Sequence, residues 1–116
     1  MQYVLLIYLN EQRWMGTPEG ERDKVMAEYG AFTESIVKSG HYKGGDELQP
    51  TTVATTVRVR NGKPMITDGP FAETREQLGG FYVIEAKDLD EATAIAARIP
   101  SAREGSIEVR PIQPSA

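Results

Sequence analysis

Apolar and polar positions follow different periods in different parts of this chain, and those periods predict its elements. Tyr3 to Leu9 is almost unbroken in apolar character and too short for a typical helix, which predicts a strand buried on both faces and central in a sheet. Asn10 to Gly16, carrying the lone tryptophan Trp14, reads as a loop. Thr17-Pro18 then supplies a helix start, a capping hydroxyl followed by proline at the first helical position, and Glu19, Glu21 and Asp23 suit the positive end of the helix dipole. Val25, Met26, Tyr29, Phe32, Ile36 and Val37 recur at helical spacing and give one apolar face, and Gly40 suits a left-handed stop.

Downstream the period shortens. His41 to Leu48 predicts an irregular strand bent at Gly44-Gly45. Thr51 to Arg60 alternates, with Val53, Thr55, Val57 and Val59 on one face. Asn61-Gly62 predicts a two-residue type I′ turn, because both central positions need positive φ, and Lys63 to Thr67 returns as the partner strand. Thr74 to Leu78 predicts a single helical turn, and Gly80 to Glu85 a second apolar strand. Asp88-Leu89-Asp90-Glu91 is a capping-box-like start. Leu89, Ala92, Ile95, Ala96 and Ile99 follow on one helical face, and Pro100 ends the helix. Ile107 and Val109 alternate with Glu108 and Arg110 in a last strand.

This order predicts an α+β chain of ferredoxin-like, split β-α-β type with a β-hairpin insertion, residues 1–112 forming one domain and 113–116 a frayed tail. Two helices cover only one face of such a sheet, yet both long strands are apolar on both sides. A second copy of the chain is the simplest cover, so a homodimer with facing sheets is expected.

At 116 residues the chain is long enough for one core. Its net charge of −4, from 13 basic and 17 acidic residues, argues against nucleic acid as a partner. No run approaches the roughly 20 apolar residues of a membrane span, and Met1 to Leu5 has no basic leader, so a cytoplasmic protein without membrane partner is expected. Cysteine is absent and His41 is the only histidine, which removes thiolate chemistry and histidine-built metal sites; no metal and no cofactor are expected.

The densest cluster of special residues runs from Asp68-Gly69-Pro70-Phe71-Ala72-Glu73 through Thr74-Arg75-Glu76-Gln77-Leu78 to Gly79-Gly80-Phe81-Tyr82. Asp68 at a strand end has two readings. Beside apolar residues it is a general acid or base; before Gly-Pro it accepts backbone amides and fixes a turn. His41 is either its partner or a histidine attending the last helical carbonyls. Arg58, Arg75 and Arg110 are candidates for an anionic ligand, and Tyr8 and Tyr82 for lining its pocket. Trp14 either closes over a pocket or packs at the dimer interface. Gly79-Gly80 is followed by a strand rather than a helix, so it reads as a bend and not as a phosphate loop.

The Asp68–Tyr82 stretch resembles the signature of the DGPF, or YCII-related, proteins. Tyr3–Tyr8, Gly44–Pro50, Thr55–Arg60 and Ala97–Pro100 resemble the same family, so the likeness spans almost the whole chain. It implies a dimeric α+β barrel, a bacterial source, and acid–base chemistry of lyase or isomerase type on a small organic molecule without a cofactor. Some relatives resemble dehydrochlorinases and lactone isomerases that use a histidine–aspartate pair. The resemblance carries the aspartate onto Asp68. The segment where their histidine lies, Pro18 to Val25 here, holds none, and His41 lies past the other end of the helix. The expected site is therefore Asp68 and His41 for catalysis, with Tyr8, Arg58 and Tyr82 binding ligand. The family's frequent genetic link to extracytoplasmic-function sigma factors implies an alternative, a non-catalytic small-molecule-binding or regulatory protein.

Overall fold

The computed structural model describes residues 1–115, so Ala116, the end of the expected tail, lies outside the described residues. Four strands form one sheet in the order β2-β5-β1-β6: β1 (Gln2–Leu9), β2 (Tyr42–Glu47), β5 (Gln77–Glu85) and β6 (Ser106–Pro111). Every pairing in it is antiparallel. The intervening β3 (Thr55–Arg60) and β4 (Lys63–Asp68) pair only with each other, as a separate hairpin. This is the ferredoxin-like plan with a hairpin insertion that the periodicity predicts.

Alternation decides which residues make the core. Tyr3, Leu5 and Ile7 of β1 face the same side as Tyr82 and Ile84 of β5, and all five are buried. Against them pack Phe32 and Ile36 of α2 (Glu19–Lys38) and Ala92, Ile95 and Ala96 of α3 (Leu89–Ala96), with Ile99 beyond. Leu5, Ile36, Ile84 and Ile99 are fully buried, each contributing about 1.5–3 kcal/mol relative to exposure. Val4, Leu6, Phe81 and Val83 point to the opposite side of the sheet and stay partly exposed.

Local signals hold where they rest on specific hydrogen bonds. Asn61 and Gly62 have φ of 53° and 75°, as the type I′ turn requires. At the end of α2, Gly40 has φ 82°, while the His41 amide bonds Ile36 O and the Gly40 amide bonds Val37 O, a complete Schellman stop. At the start of α3 the Asp88 side chain accepts from the Glu91 amide at 2.9 Å. Glu91 reaches back one residue further than a standard box, to the Lys87 amide at 3.0 Å. Asp88→Ala is expected to cost about 1 kcal/mol in chemical denaturation.

Four expectations are corrected. Asn10 to Gly16 is not a loop: Glu11–Met15 forms a short helix, α1, because the Asn10 side chain caps the Arg13 amide and Thr17 Oγ1 bonds Arg13 O at its other end. Thr17 is thereby spent on α1 and does not cap α2. Thr74 to Leu78 is not helical, because the Thr74 hydroxyl bonds Glu76 O and the Gln77 side chain bonds Thr74 O, and β5 begins at Gln77. Thr51–Val53 is a 3-10 turn rather than strand. There the Glu11 carboxylate takes both the amide and the hydroxyl of Thr51 at 2.7 Å.

Candidate functional site

Only the C-terminal half of α2 enters the core. Tyr29 packs against the edge of the core, and the apolar face continues past it through Val25 and Met26, where Met26 is 44% exposed; Val37 on the same helix is 53% exposed. One flank of the helix is tied down. Arg103 grips Glu28 through two bonds of 2.7 and 2.9 Å, and Arg98 lies 5.4 Å over the Phe32 ring. The other flank faces β2 and β5 across a groove of about 900 Å³. Trp14 of α1 forms part of its wall.

Glycines let β2 and β5 approach closely at the groove floor. Gly45, at φ 155°, comes so close to β5 that an added Cβ would lie 2.5 Å from Phe81 O. A Cβ on Gly80 would lie 2.9 Å from Asp46 O. Gly45, Gly79 and Gly80 all line the groove. Gly79 falls where the β1–β5 register slips, so the Gly-Gly pair does shape a bend, as its sequence context suggests.

Two phenol–hydroxyl pairs line the groove. Tyr82 OH and Thr33 Oγ1 share a hydrogen bond of 2.6 Å, and so do Tyr29 OH and Ser101 Oγ. Each pair spends one proton internally and keeps one O–H to donate. Burial pushes both phenols above the ordinary tyrosine value; the bonds from Ser101 and Thr33 oppose it, and the Glu47 charge adds a little to Tyr29. Both are therefore protonated donors at neutral pH. The folded protein holds these protons more tightly than the unfolded chain. The associated stability is fully present below about pH 10 and is lost as pH rises through the higher folded values. Tyrosinate absorbance is expected to show two late-titrating phenols that Tyr29→Phe and Tyr82→Phe remove one at a time.

The charge lining the groove is acidic: Glu21, Glu34, Asp46, Glu47 and Glu104 against Arg13 and Arg103. Both arginines are already engaged, Arg13 by Glu104 at 3.5 Å and Arg103 by Glu28. Among the described residues Glu21, Asp46 and Glu47 have no ion-pair partner. Glu47 stands opposite Gly80 and so shares the helix-facing side of the sheet with Tyr82, whereas Asp46 stands opposite Phe81.

The expected site residues are not brought together. Tyr82 lines the groove. Tyr8 alternates with the buried Ile7 and faces the other side of the sheet. Arg58 is exposed on the hairpin and bonds Phe71 O at 3.3 Å. Arg110 is also exposed and pairs with Glu108 at 3.1 Å. The Asp68–His41 pair does not form within the chain. His41 Nδ1 is bonded to Ser39 Oγ at 2.6 Å and Nε2 to Glu91 at 3.2 Å, so both ring nitrogens serve the junction of α2 and α3. The Lys87 amide, and then His41, hold the Glu91 carboxyl below its ordinary value. Asp68 is exposed at the base of the hairpin, and among the described residues its carboxylate has no hydrogen-bond or ion-pair partner. It does not fix the turn either: Gly69 N bonds Ala54 O at 2.7 Å and Thr56 Oγ1 bonds Gly69 O at 2.8 Å. Asp68→Asn is therefore expected to change stability by less than about 0.5 kcal/mol, measured by thermal and denaturant unfolding.

The comparisons with known proteins bear on this geometry. The model of the YCII-related domain matches residues 1–116. The chain belongs to the YCII-related family. An uncharacterised protein of Rhizobium meliloti is 40% identical over 114 residues, covering 97% of this chain and 92% of that protein. Among solved structures, this YCII-related chain resembles the 5-chloro-2-hydroxyhydroquinone dehydrochlorinase of Burkholderia phenoliruptrix in complex with 2,5-dihydroxybenzoquinone. The TM-score is 0.57 at 14% identity, covering 97% of this chain and 94% of that one. At that identity the likeness establishes the fold. Among the described residues no helix is long and apolar enough to cross a membrane.

Proposed function

We propose that this YCII-related protein is a cofactor-free enzyme that binds a small, uncharged, hydroxylated ring compound in the groove between α2 and the β2–β5 side of the sheet. Two phenol–hydroxyl pairs beneath apolar and aromatic walls carry this reading. Ring hydroxyls exchange hydrogen bonds with Tyr29–Ser101 and Tyr82–Thr33, and the ring lies against Trp14 and Met26. Glu47 is the base within the groove. The two phenols donate to the oxygen on which negative charge develops when Glu47 removes a proton. The acidic lining disfavours an anionic substrate, for which Arg58, Arg75 and Arg110 were the expected anchors. The structural neighbour's substrate, a chlorinated hydroxyhydroquinone, is a compound of the favoured class.

The protein acts as a homodimer in this reading. A second copy covers the partly exposed side of the sheet that presents Val4, Leu6, Phe81 and Val83. A non-catalytic binding role is the second reading. It is favoured by the exposure of Asp68 and by the engagement of the sole histidine with Glu91.

Trp14 is the only tryptophan and lines the groove, so its fluorescence reports occupancy. Titration with hydroquinone is expected to change it saturably, and benzoate to change it little. Stronger binding of benzoate would overturn the charge argument. Chloride release from chlorinated hydroquinones separates the two functional readings: saturable binding with no release favours the non-catalytic role.

A further inference from the structure

The β3–β4 hairpin stands away from the compact part of the molecule. The radius of gyration is 16.1 Å, against about 13 Å for a compact domain of this length. The molecule measures 47 × 47 × 19 Å. An isolated two-stranded hairpin is marginal in water. The register places Val57 opposite Ile66 and Val59 opposite Pro64 on one side of the ribbon. Val57 and Val59 are 60% exposed and Ile66 is 71% exposed. A ribbon that presents a contiguous apolar side to water is built to be covered.

Its charge says by what. Residues 55–68 carry Arg58, Arg60 and Lys63 against Asp68, a net of +2. With −4 for the whole chain, the remainder carries −6. Among the described residues none of the three cations has an ion-pair partner in its own chain, and Arg58 and Arg60 bond only backbone carbonyls. An apolar, basic arm on an acidic body fits a second acidic body of the same kind. Two-fold symmetry makes the exchange reciprocal, so two arms are covered at once and the assembly closes.

We propose that the β3–β4 hairpin is an exchange arm whose Val57/Val59/Ile66 side packs on a second copy of this chain, while the positive charge of Arg58, Arg60 and Lys63, which alternation places on the other side of the ribbon, favours that acidic copy as its partner. This rests on the homodimer reading and deepens it by adding the arm to the interface.

Sedimentation of the intact chain at micromolar concentration, in low and high salt, tests the proposal. The wild type is expected to sediment as a dimer that weakens as salt rises. Val57→Asp/Ile66→Asp is expected to weaken dimerisation at least about 100-fold, and Arg58→Glu/Arg60→Glu to weaken it and remove the salt dependence. None of these side chains is in the core, so circular dichroism of the variants is expected to match the wild type. Should the Val57→Asp/Ile66→Asp variant instead fail to fold, the milder Val57→Thr/Ile66→Thr pair is read in its place. A dimer of unchanged affinity in the arm variants overturns the exchange arm while the homodimer stands. A wild-type monomer overturns both.

Discussion

Gly30→Leu is expected to stabilise the fold and to abolish ligand binding. Gly30 sits in the interior of α2 and lines the groove, and an added Cβ there would meet nothing within 4 Å. Replacing it with a strong helix former gains about 0.5–1 kcal/mol, seen as a higher midpoint in denaturant. The new side chain would occupy space that the ring compound needs. A loss of at least about 100-fold in affinity, read from Trp14 fluorescence, corresponds to about 2.8 kcal/mol. Few positions allow stability and binding to move in opposite directions, and the opposition is the diagnostic. If affinity is unchanged while stability rises, the ligand does not lie against α2.

Gly105→Ala is expected to have the largest structural effect, a loss of about 3 kcal/mol or more. Its Cβ would lie 2.1 Å from Tyr8 O and 3.2 Å from Ser101 O. Both are backbone atoms. The first belongs to the central strand β1, and the second accepts the Gly105 amide at 2.7 Å. Neither can turn aside as the end of a flexible side chain would, so the loop entering β6 must shift. Against a typical total of about 5–15 kcal/mol this is a substantial fraction. Denaturant unfolding of the purified variant measures it. A loss below about 1 kcal/mol would mean that the Pro100–Gly105 turn is looser than its hydrogen bonds indicate. Because Ser101 and Gly105 also border the groove, any Gly105→Ala protein that remains folded should bind ligand more weakly.

The fold was legible where chemistry acts over a few residues. Asn61-Gly62, the Gly40 stop and the Asp88–Glu91 start each satisfy backbone groups locally, and each is found where the sequence puts it. Short segments were misread when a polar side chain, near or distant, took over a backbone group: Asn10 and Thr17 close off α1, and Thr74 and Gln77 hold their stretch out of a helix. Glu11 holds Thr51 across 40 residues, which turns the expected strand start into a 3-10 turn. Within α1, Trp14 is placed by a five-residue helix too short to show a period.

The site was less legible, for a physical reason. Asp68-Gly69-Pro70-Phe71 has the local look of a pocket edge, but the direction in which the hairpin leaves the sheet decides where it goes, and Phe71 ends 77% exposed. Conversely, the groove arises from register. Gly80 comes opposite both Ile7 and Glu47, and Gly45 opposite Tyr82, through pairings that no local pattern reports. One signal was present. The apolar face of α2 is longer than the core can use, and the surplus at Val25 and Met26, near Gly30, marks the groove wall.

In this reading the groove beside α2, and not the Asp68 segment, receives the ligand. Chemical-shift mapping on the uniformly labelled protein during titration with hydroquinone tests it most directly. The shifting amides are expected to cluster at Trp14, Gly30, Thr33, Tyr42, Glu47 and Tyr82 and to saturate together. Shifts concentrated at Asp68 to Phe71, with those six unmoved, would contradict it.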